Sequence, residues 1–224
     1  MTPALAISTG LSAIDREGFA AFLLRMRASG IDDKALFEAV EATPRRSFIA
    51  PEHHGAAWSS RMIPIDCGTE IEGLDRQALI LTALGLEPDH RVLEIGTGSG
   101  YTAAVMGLMA KRVYTIERFS RLHQAAQSRL RAFKRDNVIA SRGDGNQPAA
   151  DGPFDRIVVW PAFSAVPRGF GELLVSGGVL VCPVGEADRQ QVLVRLTKVG
   201  SRFEREDIGA VRVQPIASGL PQVL

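Results

Sequence analysis

Arg91-Val-Leu-Glu-Ile-Gly-Thr-Gly-Ser-Gly-Tyr101 decides the fold. Val92, Leu93 and Ile95 read as a short buried strand. Three glycines then fall at every second position, Gly96, Gly98 and Gly100, and a helical pattern begins at Tyr101. Glycines at that spacing let the backbone turn sharply and let a ligand come close to it. The helix that follows offers free N–H groups and a partial positive charge at its start, which suits an anionic or carboxylate-bearing ligand. The dinucleotide fingerprint is G-x-G-x-x-G, and here the third glycine comes one residue early. An acid, Glu94, stands just before the first glycine.

The next segment extends the pattern. Val113 to Ile116 alternate as a second strand that ends in Glu117, 19 residues after Gly98. An acid about 20 residues on, at the tip of the second strand, binds ribose hydroxyls in Rossmann-type sites, because a carboxylate accepts two such bonds. A solvated strand-end glutamate is the plain alternative.

Composition narrows the classes. The 224 residues suit one α/β domain with an N-terminal extension. With 26 basic against 25 acidic residues there is no electrostatic footprint for nucleic acid and no polybasic membrane patch. The locally basic run with Arg121, Arg129, Arg131 and Lys134 reads as a solvated helix face. Cys67 and Cys182 lack metal-type spacing and read as free thiols of a reducing compartment, so a cytoplasmic location is expected, with no metal. The first residues carry no leader pattern, and no apolar stretch approaches the 18 residues of a membrane span.

Along the chain, helices are expected from about Asp15 to Ala28, from Asp32 or Asp33 to Ala42, and from Asp75 to Leu84. An irregular stretch with a short helix spans Phe48 to Trp58, and Met62–Ile65 reads as extended. Strands are expected near Val92–Ile95, Val113–Ile116, Val138–Ala140, Arg156–Trp160 and Val179–Pro183, with helices between them. Such alternation gives a parallel sheet with helices on both faces. Val192–Thr197 and Val211–Gln214 would add an antiparallel edge.

The glycine motif resembles the first motif of the class I S-adenosylmethionine-dependent methyltransferases. The chain as a whole resembles the protein-L-isoaspartate O-methyltransferase family. The segments that carry the resemblance are Thr43–Pro51, Val92–Val105, Val113–Arg118, Gly143–Gly145, Phe154–Val159, Ser176–Gly185 and Val211–Pro215. The resemblance implies a seven-stranded Rossmann-like α/β core over residues 75–224, preceded by a helical and acceptor-side extension over 1–74. It implies S-adenosyl-L-methionine as cofactor and a peptide or protein as possible acceptor, and leaves the oligomeric state open. By position, Gly96, Gly98 and Ser99 would pass close to the methionine part, Glu117 would bind the ribose, and Asp144 and Gly145 would edge the adenine; Glu94, Thr97, Tyr101 and Arg118 are further expected cofactor-binding residues. An ordinary Asp-Gly turn is the other reading of Asp144.

Two departures from the family pattern fall on the acceptor side. Where the family carries a G-x-x-I-S-Q-P-like segment, this chain reads Gly68-Thr-Glu-Ile-Glu-Gly-Leu74. Ile71 is kept, but Glu72 stands at the serine, the candidate catalytic position, with Gly73 and Leu74 after it. Where small residues follow the fourth core strand, this chain has Trp160 and Pro161. A glutamate beside an ionised acceptor carboxylate would repel it, by about 4 kcal/mol at about 4 Å and an effective dielectric of 20. For an amine, hydroxyl or cationic acceptor the same residue would attract or act as a base. A solvent-facing acid beside Glu70 remains open, as does a merely packed indole. The expected function is therefore a methyltransferase of altered acceptor specificity. The alternative is a cofactor-binding protein of this fold, without isoaspartyl repair activity, that serves regulation or interaction. A nicotinamide oxidoreductase fits poorly, because the third glycine is at position 100.

Overall fold

The computed structural model describes residues 12–221. Residues 1–11 of the expected extension, and with them the expectation of no leader, lie outside the described residues.

Three helices build the N-terminal part: α1 (Ala13–Ala28), α2 (Lys34–Glu41) and α3 (Leu74–Leu84). The Asp33 side chain accepts from the Leu36 N–H and so caps the free amides at the start of α2. Between α2 and α3 run the 3-10 turns Arg45–Phe48 and Pro51–Ala56, then a small hairpin of β1 (Ile63–Ile65) and β2 (Thr69–Ile71). Only β1 is legible as extended sequence; β2 is three residues long and carries no alternation beyond Ile71.

The core sheet has seven strands: β3 (Arg91–Ile95), β4 (Arg112–Glu117), β5 (Val138–Arg142), β6 (Phe154–Val159), β7 (Leu174–Val184), β8 (Gln191–Val199) and β9 (Arg202–Val211). Their order is β5-β4-β3-β6-β7-β8-β9. Pairing is parallel from β5 to β7 and antiparallel at β7–β8 and β8–β9. Helices α4 (Tyr101–Met109) and α5 (Ser120–Ala132) follow β3 and β4.

The chain moves outward from β3 to β5 and then returns to lay β6 on the other side of β3. That reversal opens a crevice beyond the carboxyl ends of β3 and β6, where α/β sheets bind ligands.

Two apolar clusters sandwich the sheet. One joins α1 to α4 and the end of α5 to sheet residues such as Val92, Val113 and Val158. Phe22, Leu36 and Phe48 belong to it, so the N-terminal helices share the core of the sheet. The other holds Leu93, Ile157, Leu180 and Leu196 under the 3-10 turn Arg168–Leu173. Helical cover is therefore unequal, since among the described residues the second face carries this single short turn and loops.

One strand is displaced from expectation. The last strand is Arg202–Val211, whereas Val211–Gln214 was expected. The exposed, charged Arg202-Phe-Glu-Arg-Glu-Asp hides the strand pattern, as charges commonly do on sheet edges. Residues beyond Val211 leave the ladder. The Gln191 side chain holds the Val213 N–H and carbonyl, and Ala162 N–H bonds the Gln214 carbonyl at 2.9 Å. This tail thereby runs beside the loop after β6.

Candidate cofactor and acceptor cleft

The glycine turn is built as its spacing requires. Gly96, Gly98 and Gly100 all have positive φ, +93°, +53° and +85°, a region that L side chains rarely adopt. A Cβ on Gly98 would also lie 3.2 Å from Ile71 Cγ2, because the β1–β2 hairpin folds over the turn.

Glu117 locks that turn. Its Oε2 accepts from the Gly98 N–H at 2.9 Å and its Oε1 from the Phe119 N–H at 3.0 Å. Burial raises its pKa, and the backbone amides of Phe119 and Gly98 oppose the rise. Each oxygen keeps a second lone pair for a ligand.

Behind the turn lies a polar network. Glu94 is fully buried, with Oε1 accepting from Thr102 Oγ1 at 2.5 Å and from Trp160 Nε1 at 2.9 Å. Its Oε2 accepts from Thr115 Oγ1 at 2.6 Å, and the Thr97 and Thr115 hydroxyls meet at 2.6 Å. Burial pushes Glu94 up to about 7, against the pull of the three side-chain hydrogen bonds.

The crevice is a cleft of about 460 Å³. Its floor is the glycine turn. One wall is the hairpin and Glu72, another is Trp160 and Pro161, and the tail Val213–Ala217 closes it. Ile95, Ile116, Phe119, Leu122 and Ile216 make an apolar slot beside Glu117 and Gly145. A Cβ on Gly145 would lie 2.4 Å from Ile95 Cγ2, so only glycine leaves that slot in place. A flat apolar slot next to a carboxylate that can still accept two hydrogen bonds fits a nucleoside.

Of the residues expected around the cofactor, Gly96, Thr97, Gly98, Ser99, Glu117, Arg118 and Gly145 line this cleft. Three do not. The Tyr101 side chain turns into the core, 5.6 Å from the Phe48 ring and under the Arg45 guanidinium. It is the first residue of α4, and the helix directs it away from the turn. Glu94 sits beneath the floor and is tied to cleft-lining residues through Thr102, Trp160 and, by way of Thr115, Thr97. The Asp144 carboxylate accepts from the Asn146 N–H at 2.8 Å and the Gly219 N–H at 2.6 Å.

On the acceptor side, Ile71, Glu72, Trp160 and Pro161 all line the cleft. Glu72 is 9% exposed, which removes the solvent-facing reading. Burial raises its pKa, and Arg76, with Nε 3.3 Å from Glu72 Oε2, works against the rise. The buried Arg45 holds this corner, donating to the Glu72 carbonyl at 2.6 Å and the Ala57 carbonyl at 3.1 Å. Gly73 is forced, since a Cβ there would lie 2.0 Å from the Ser60 carbonyl oxygen. Sequence reasoning missed Gln77, Arg76, Thr102 and the 213–217 tail. Gln77 carried a signal, as a polar residue on the apolar face of α3.

Residues 12–220 match the family description protein-L-isoaspartate(D-aspartate) O-methyltransferase. The chain belongs to this family. The Rhizobium meliloti protein-L-isoaspartate O-methyltransferase is 43% identical over 201 residues, 89% of this chain and 97% of that one. The Azorhizobium caulinodans protein of the same name is 39% identical over 214 residues, 95% and 99% of the two chains. A Plasmodium falciparum structure assigned to the same activity, solved with S-adenosyl-L-homocysteine, superposes with a TM-score of 0.78 at 24% identity, covering 89% of this chain and 98% of that chain. At that identity the likeness speaks for the fold.

Proposed function

We propose that this family member methylates a carboxylate of a peptide or protein acceptor, with a preference altered from that of a plain isoaspartyl methyltransferase. The protein is an S-adenosyl-L-methionine-dependent methyltransferase of the protein-L-isoaspartate O-methyltransferase family. The observation that carries the altered preference is Glu72, buried in the acceptor wall of the cleft.

The glycine turn and Glu117 would hold S-adenosyl-L-methionine, which would supply an electrophilic methyl group on its sulfonium for the acceptor oxygen, with the thioether as leaving group. A carboxylate acceptor is ionised at neutral pH and needs no base, so the residues of this chain act by positioning and by excluding water. Glu117 and the glycine turn fix the nucleoside end. Glu94 fixes Trp160, which narrows the acceptor end together with Pro161. The hairpin residues Ile65 and Ile71 close the turn from above and keep water out.

Glu72 opposes a bare carboxylate by charge. Arg76 offsets part of that charge and, at 38% exposed, is open to solvent screening. Methyl transfer to an isoaspartyl peptide with uncharged flanks tests the reading. Expected are retained binding of S-adenosyl-L-homocysteine and a kcat/KM well below ~10⁴ M⁻¹s⁻¹. Turnover at or above that value overturns the altered preference. No binding heat at millimolar S-adenosyl-L-homocysteine overturns the cofactor assignment.

A further inference from the structure

Gln77 is 4% exposed, yet among the described residues its carboxamide makes no hydrogen bond, and its Oε1 is a buried acceptor without a donor. Buried polar groups are nearly always paired, so an orphan calls for a reason. Gln77 lines the acceptor cleft together with Glu70 and Glu72. Its N–H bonds the Gly73 carbonyl at 3.0 Å, which places it one helical turn above Glu72 and Gly73. Side chains on a helix lean toward its N-terminus, so the carboxamide leans toward Glu72.

The acids on this wall are all acceptors. Glu70 is exposed at the rim. Glu72 accepts no side-chain hydrogen bond among the described residues; the buried Arg45 guanidinium also acts on its charge, and its close ion-pair partner is Arg76, with Nε at 3.3 Å. The Arg76 guanidinium comes from the cleft's outer side, where it also donates to the Ala210 carbonyl at 3.3 Å. Two carboxylates and an unpaired carboxamide oxygen on one wall call for a ligand rich in N–H donors and positive charge.

We propose that Glu72 and Gln77, with Glu70 at the rim, form a subsite for an ammonium or guanidinium group carried by the acceptor next to its methylated carboxyl. This deepens the proposed function and rests on it. The cation comes either from a basic side chain beside the reacting residue or from the N-terminal ammonium of a short peptide. It would satisfy Gln77, and it would turn the Glu72 charge from an obstacle to a carboxylate into the anchor that delivers one.

The experiment uses four isoaspartyl peptides of one length. They carry lysine or norleucine after the isoaspartyl residue, each with a free or an acetylated N-terminus. Wild type should prefer a cationic peptide by ~10-fold in kcat/KM, the difference falling mainly in KM. Lysine with an acetylated terminus isolates the side chain, and norleucine with a free terminus isolates the ammonium. The preference should collapse in Glu72→Gln and in Gln77→Leu, and rise in Gln77→Glu, which keeps the shape and adds charge. Thermal unfolding identifies any variant that fails to fold, and the remaining two then decide. Where turnover is too slow to measure, titration of the S-adenosyl-L-homocysteine-loaded protein with the same peptides reads the same preference.

Equal treatment of all four peptides by a wild type that binds S-adenosyl-L-homocysteine overturns the subsite and leaves the cofactor reading intact. An unchanged preference in the variants overturns it too. Variants that lose S-adenosyl-L-homocysteine affinity while keeping the peptide preference would assign Glu72 and Gln77 to the methionine ammonium instead, and would overturn the acceptor assignment.

Discussion

The indole N–H of Trp160 donates to Glu94 Oε1 across 2.9 Å, tying the loop after β6 to the strand that enters the glycine turn. Glu94 lies in β3 and Trp160 directly follows β6, the adjacent parallel strand, where Ile95 pairs with Val159 and the Trp160 N–H reaches the Ile95 carbonyl at 3.1 Å. One buried carboxylate thus sets both the cofactor floor and the acceptor wall. Thr102, Thr115 and Trp160 supply three donors and no cation.

A pH signature follows from that burial. Glu94 is raised from 4.5 to about 7. Between these values the folded chain holds a proton that the unfolded chain has released, so stability falls as pH rises through the window and is flat above it. From pH 5 to pH 8 the Glu94 contribution should fall by on the order of 2 kcal/mol. Urea unfolding at the two pH values measures it. Glu94→Gln should remove most of that slope, and an equal slope in the variant contradicts the assignment.

The clamp on the glycine turn gives a second expectation. Glu117→Ala removes the acceptor of both the Gly98 and the Phe119 N–H. Hydrogen bonds to a charged group contribute ~1.5–3 kcal/mol. Calorimetric affinity for S-adenosyl-L-homocysteine should weaken by about that much. Gly98→Val should abolish binding, because a branched side chain at φ +53° meets Ile71 and blocks approach to the backbone. Full affinity in either variant would remove these residues from the site.

Arg45 gives a stability prediction. Its guanidinium is fully buried, bonded to the Ala57 and Glu72 carbonyls and 5.5 Å above the Tyr101 ring. Arg45→Met leaves both carbonyls unpaired and should cost ~2–6 kcal/mol, at ~1–3 kcal/mol for each buried group. Chemical denaturation reads this directly. A neutral outcome would mean that the corner around Glu72 repacks without it.

How much of this was legible depends on how local the signal is. The strand–glycine–helix unit and Glu117 are set by near neighbours in sequence, and the cleft contains them as read. Tyr101 misled because adjacency in a motif does not fix which way a side chain points once a helix starts. The Asp144 carboxylate is held by the Gly219 N–H from 75 residues on, a contact outside any local motif. The last strand was hidden by its edge position, where Glu204, Arg205 and Glu206 are all exposed and the alternation is lost. Gln77 is set by a helix start held against the segment before the hairpin: Leu74 N–H bonds the Ser59 carbonyl at 3.1 Å, and glycine at 73 makes room for the Ser60 carbonyl. No spacing rule contains that contact.

The acceptor wall gives the last prediction. Glu72→Ser removes the buried negative charge from the acceptor wall. It leaves the bulk of Trp160 and Pro161 in place. Methyl transfer to an isoaspartyl peptide with uncharged flanks should therefore rise only in part. A variant that also carries Trp160→Thr and Pro161→Ala should rise further, provided that the lost indole donor does not disturb Glu94. The retained affinity for S-adenosyl-L-homocysteine reports on that condition separately. Repulsion of about 4 kcal/mol at contact distance, reduced by Arg76, sets the scale for the first step at roughly 10- to 100-fold in kcat/KM. If Glu72→Ser lowers turnover on this peptide, the carboxylate assists the family reaction and does not redirect it, and the altered preference falls with that result.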